Sequence, residues 1–141
     1  MSPLPEPFPG LVIRYAYLWR KDHAAGRDEG VKDRPCAIVL NTRKEGGEIV
    51  VTVVPITHTP PANVAMAVEI PQRVKRHLKL DSERSWIVCT EVNRFVWPGP
   101  DLRPVPGSDN AYSYGVLPPL LFDQVKQTLI KALAAIVSRT P

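Results

Sequence analysis

The sequence predicts an α+β fold, mainly β: a small, strongly bent antiparallel sheet or barrel closed by one long C-terminal helix. Three observations lead there. Short β-branched runs alternate with proline and glycine breaks over residues 11–96. A helical periodicity occurs late, where Leu121, Val125, Leu129, Ala132, Leu133 and Ile136 recur at three and four residues. Proline supplies 16 of 141 residues, about twice the usual ~5%, and that excludes a helical bundle.

The length suits one domain with a single core. Its composition, 44% apolar and 23% charged, is globular and excludes disorder. Residues 1–9 alternate proline with other residues and read as an extended arm ending at Gly10; the domain runs over residues 10–141. Leu11 to Trp19 reads as a strand, Arg20 to Asp33 as a mobile charged loop, and Pro35 to Leu40 as a short strand. Gly46-Gly47 suits a hairpin turn into a return strand over Glu48 to Ile56. Thr59 to Asn63 breaks that strand, Val64 to Ile70 resumes it, and Pro71 opens a short helix through His77. Ser85 to Val96 reads as one strand, followed by a proline-rich crossing from Pro98 to Pro106. Pro118-Pro119 then starts a helix of about five turns through Ser138.

The net charge of +4 permits an anionic partner without demanding one. Cys36 and Cys89 sit in apolar runs, where buried thiols are expected and a disulfide is not. No basic segment leads an apolar stretch near the start, and no window reaches membrane-spanning length, so the expectation is a soluble, cytoplasmic protein. Glycine loops for phosphate, an HExxH motif and a GxSxG elbow are all missing from the sequence. His23, His58 and His77 are scattered, and neither a metal nor a cofactor is expected.

Two segments place polar residues at the ends of apolar strands, where a site is held rigidly yet stays open. Lys32-Asp33-Arg34-Pro35 enters one strand, and Pro55-Ile56-Thr57-His58 leaves the next. Taken singly, Arg34 reads as a rim ion pair with Asp33 or Glu91, and Thr57 as a turn-forming hydroxyl. Arg73 to Lys79 carries four fixed positive charges and no acid, which suits either an RNA-backbone patch or a solvated helix face. Trp86 reads as core, and Trp97 beside Pro98-Gly99-Pro100 as a base-stacking surface.

In order along the chain, these pieces resemble the PemK/MazF family of toxins. The matching segments are Gly10-Leu11-Val12, Arg34-Pro35 opening its strand, Pro55-Ile56-Thr57, Val68-Glu69-Ile70, the run from Ser85 through Glu91 to Arg94, and Tyr114-Gly115-Val116-Leu117 before the last helix. The resemblance spans about residues 10–138. It implies an SH3-like barrel that forms a homodimer, and a sequence-selective endoribonuclease that cuts single-stranded RNA without a metal and is inhibited by a cognate antitoxin. Growth inhibition, plasmid maintenance and DNA binding are further expectations of the same kind. Arg34 and Thr57 match the family's catalytic pair. Glu91 falls where the family has an acid, a general base or a group orienting Arg34. Lys32, His58, Asn93, Arg94 and Trp97 fall where substrate contacts are expected, with His58 a titratable proton donor beside Thr57. The family's arginine two positions before the acid is replaced here by Cys89. The alternative is a binding module on the same barrel that has lost catalysis.

Overall fold

A computed structural model describes residues 4–20, 32–107 and 111–138 of the chain. The chain builds β1 (Leu11–Tyr17), β2 (Lys32–Arg43), β3 (Ile49–Thr57), a single 3-10 turn (Val64–Met66), β4 (Ala67–Glu69), α1 (Gln72–His77), β5 (Trp86–Val88), β6 (Asn93–Val96), β7 (Leu102–Arg103), β8 (Ser113–Val116) and α2 (Pro119–Ser138). The expected class is therefore found. Every ladder is antiparallel, and the strand order is β4-β5-β3-β2-β1-β7, with β6 also on β3 and β8 also on β1. This is an open path, and among the described residues no ladder joins β4 to β7 to close a barrel.

The centre of the sheet is apolar on both faces. In β3 the seven residues from Val50 to Ile56 are all buried, so the usual alternation of a half-exposed strand is lost. One face carries Val12, Ala37, Val54, Ile56 and Ile87, covered by Val74 and Leu78 around α1 and by Leu121 and Val125 of α2. The other carries Ile13, Tyr15, Tyr17, Cys36, Ile38, Val51 and Val53, with Phe95 and Trp97 packed against them. The β2–β3 register shifts between Ile38 and Leu40, a bulge that bends the sheet and leaves Leu40 53% exposed.

Locally encoded features appear where expected. Gly46 and Gly47 turn the β2–β3 hairpin with φ of 89° and 92°, a region that glycine enters without strain. Pro71 stands at the N-terminus of α1. The second strand is longer than the sequence suggests, beginning at Lys32 rather than Pro35, while the rest of the charged loop lies outside the described residues. Val64 begins a 3-10 turn rather than the resumed strand.

The expected strand from Ser85 to Val96 is two strands. β5 pairs with Ile56 and Thr57, whereas β6 pairs with Val50 to Val53. Between them the ladder skips Val54 and Pro55, the second of which has no N–H to give, and Cys89 to Val92 loop away. In the proline-rich crossing, Leu102 and Arg103 pair with β1. On α2, Leu121, Val125 and Ala132 are buried as expected, but Leu133 is 62% exposed. Among the described residues no helix is long and apolar enough to cross a membrane.

Candidate active site

Arg34 and Thr57 are brought together by strand register. Cys36 pairs with Pro55 across the β2–β3 ladder, and carrying that register on by two residues sets Arg34 opposite Thr57. Residues opposite each other in an antiparallel pair share a face. The Arg34 Nη1 donates to the carbonyl of Ile56 at 3.5 Å, next to Thr57. Both residues, with His58, Arg14, Lys79 and Tyr114, line a cleft of about 420 Å³.

No carboxylate among the described residues pairs with Arg34. Asp33, the neighbour expected to do so, faces Arg103 at 3.7 Å, and Glu91 is engaged elsewhere. The Arg34 guanidinium instead lies over the Trp19 ring, and its Nε is buried with no hydrogen-bond partner. Burial lowers the guanidinium from its ordinary value. A half-buried cation held by a π face and one carbonyl keeps most of its donors for an anion. The Thr57 Oγ1 accepts the N–H of Thr59 at 3.1 Å. That bond fixes the oxygen and leaves its O–H free to donate.

His58, which also lines the cleft, is anchored by an acid. Its Nε2 lies 2.7 Å from Asp81 Oδ2. The other Asp81 oxygen accepts from Lys75 Nζ at 2.7 Å. Lys75 belongs to the run read as a basic patch, but its side chain is only 1% exposed. Its ammonium also donates to Ser85 Oγ at 2.6 Å and to the Glu83 carbonyl. Burial would raise the Asp81 carboxyl, yet the hydrogen bond and charge of Lys75 outweigh it and hold the group below its ordinary value. His58, Asp81 and Glu83 cluster closely enough to suggest a cation site. Both oxygens of Asp81 are already engaged, one by His58 and the other by Lys75, so the cluster reads as an ion-pair network.

Glu91, Asn93 and Arg94 line a second, larger groove of about 950 Å³, floored by Val39, Leu40 and the Leu129, Ile130 and Leu133 face of α2. Glu91 Oε1 accepts from the Tyr17 hydroxyl at 3.2 Å and from the Arg20 N–H at 2.9 Å. Asn93 clamps Leu18: its Oδ1 accepts the Leu18 N–H and its Nδ2 donates to the Leu18 carbonyl, both at 2.9 Å. Arg94 is exposed on β6 opposite Thr52. Trp97 is half-buried, its ring tilted against Phe95 at 6.1 Å. Lys32 opens β2 opposite Tyr17, and its side chain lies outside the described residues. Cys89 is buried under α2, its Sγ 4.0 Å from the Val125 carbonyl. The stacking of Trp19 on Arg34, the burial of Lys75 and the part played by Asp81 are what sequence reasoning missed. An aromatic just before a charged loop was the available signal for Trp19; nothing local marks the other two.

No family model matches the chain, and no curated protein sequence matches it. Among solved structures it is similar to an endoribonuclease of a mycobacterial species, determined in complex with its cognate antitoxin. The two share 16% identity over 92% of this chain and 96% of that one, with a TM-score of 0.57. At this identity the likeness is one of fold, and at that level it agrees with the PemK/MazF resemblance of the sequence.

Proposed function

We propose that the chain is a toxin-type endoribonuclease that cleaves single-stranded RNA at the Arg34–Thr57 cleft. The observation that carries this reading is the Arg34 guanidinium, stacked on Trp19 without a carboxylate partner among the described residues and facing the same cleft as the Thr57 hydroxyl. RNA supplies its own nucleophile in the ribose 2′-OH, so an enzyme needs only to align it, move protons and stabilise the anionic transition state. The planar fork of Arg34 suits the phosphoryl oxygens, and the Thr57 O–H adds a directed donor. The 2′-oxygen attacks phosphorus, the bond to the 5′-oxygen breaks, and a 2′,3′-cyclic phosphate is left. Charge neutralisation by Arg34 is the role a metal would otherwise fill.

Sequence selectivity, homodimerisation and inhibition by an antitoxin complete the proposal. The structural neighbour's own complex with an antitoxin supports the last of these. The test is cleavage of a long RNA in excess EDTA, read by primer extension. Discrete stops, a cyclic phosphate end, and loss of both with Arg34→Ala or Thr57→Ala are expected. Binding without product at any protein concentration reassigns the cleft to a binding role, and cleavage that requires a divalent metal overturns the mechanism.

A further inference from the structure

We infer that His58 is the general acid of the cleft, presented by Asp81 and Lys75, and that it protonates the departing 5′-oxygen of the RNA. This rests on the ribonuclease reading above. The argument starts from Lys75. An ammonium taken out of water is costly unless its donors are satisfied, and this one is satisfied three times over, by Asp81, Ser85 and the Glu83 carbonyl. Its bonds tie the segment from Asp81 to Ser85 onto α1. Asp81 also accepts the Glu83 N–H at 3.1 Å, so its carboxylate has one orientation.

The free oxygen of that carboxylate holds His58 Nε2 at 2.7 Å. The other ring nitrogen, Nδ1, is 3.9 Å from Glu83 Oε2, beyond hydrogen-bonding distance, and is the nitrogen left for a substrate. A carboxylate on one imidazole nitrogen fixes the orientation of the ring and so the direction in which the other nitrogen is presented. His58 follows Thr57 directly and lines the same cleft as Arg34, so the donor opens onto the space that holds the groups assigned to the phosphate.

The step balances simply. The 2′-oxygen bonds to phosphorus and its proton goes to water. The P–O5′ bond breaks, Nδ1–H of His58 passes its proton to the 5′-oxygen, and the imidazole regains a proton from solvent. Asp81 and Lys75 touch no reacting atom and are positioning residues.

The experiment compares ordinary RNA with the same RNA carrying sulfur in place of the 5′-bridging oxygen at the cleavage site, since a thiolate leaves without a proton. His58→Ala is expected to lose about 10²- to 10⁴-fold on the ordinary substrate and to cut the sulfur substrate at close to the wild-type rate. Asp81→Asn, which keeps its size and sits at the surface, is expected to show a smaller loss with the same rescue. Equal losses on both substrates would show a merely structural role and overturn the inference. So would wild-type rates for His58→Ala on ordinary RNA; if Arg34→Ala is dead in that same assay, the ribonuclease reading survives alone. Failure of the wild type to cut either substrate removes both readings.

Discussion

The Arg34 guanidinium carbon stands 5.0 Å from the centroid of the Trp19 ring. Trp19 in turn meets Tyr17 edge-on at 5.2 Å, and the Tyr17 hydroxyl is bound by Glu91. A row of contacts therefore runs from the acid in the large groove to the cation in the small cleft. Arg34→Lys keeps the charge but loses the flat fork that stacks and binds in two places. RNA cleavage is expected to fall at least ~10²-fold, within the range for loss of an oriented transition-state donor. Trp19→Phe should retain far more activity than Trp19→Ala. Full activity in Arg34→Lys would show that charge alone suffices.

Asp81 gives the folded state a dependence on acid. Its carboxyl is held below its ordinary value in the folded protein, so the stabilisation is present above the unfolded value of about 3.9 and fades as pH falls through the folded one. Because the side chain is 48% exposed, screening keeps the effect under about 1 kcal/mol. Urea midpoints measured from about pH 6 down to pH 3 should fall less steeply for Asp81→Asn than for the wild type. Parallel slopes would mean that the Lys75–Asp81 pair adds nothing to stability.

Gly115 sits in β8 with φ of 128°, and a Cβ there would approach Leu78 Cδ2 to 3.2 Å. Backbone strain and crowding act together at this point. Gly115→Ala is expected to lower stability by about 1–3 kcal/mol, measurable by chemical denaturation. A neutral result would show that β8 and α1 can move apart freely.

The thiols should be silent in the native protein. Burial pushes the Cys89 thiol up to about 12, and Cys36 is pushed up by burial as well, against the opposing charge of Arg34. Thiolate is the reactive form. A thiol reagent at pH 8 should therefore modify neither residue until denaturant is added, and then both. The same raised values mean that stability contributed by the neutral thiols is complete below the unfolded value near 8.5 and declines as pH rises beyond it. Rapid native labelling of Cys89 would show that α2 lifts from the sheet.

What the sequence made legible was local. Gly46-Gly47, Pro71 and the spacing from Leu121 to Ala132 each act on their own few residues, and each produced its element. Arg34 and Thr57 were legible because both lie at strand ends whose pairing follows from one hairpin. The division of residues 85–96 was not, because it depends on Pro55 in a different strand. Leu133 fits the helical spacing but is exposed, since periodicity gives a stripe and not how far the sheet extends beneath it. Lys75 stands among exposed basic residues, and its burial is decided by Asp81, Glu83 and Ser85 beyond the helix. Glu91 falls in the expected segment, but the loop between β5 and β6 carries it to the other groove.

The placement of β1 bears on the order in which the chain is synthesised. β1 is made first, yet its outer edge is completed by β7 and β8, and Arg14 reaches Tyr114 across one hundred residues to close one wall of the cleft. Pairings that distant form late, after the intervening chain is available. A growing polypeptide can thus complete the β2–β3 hairpin, with Arg34 opposite Thr57, while the wall beside them is still inside the ribosome. The finished cleft arises only once Val116 has emerged, so a partial translation product does not contain it.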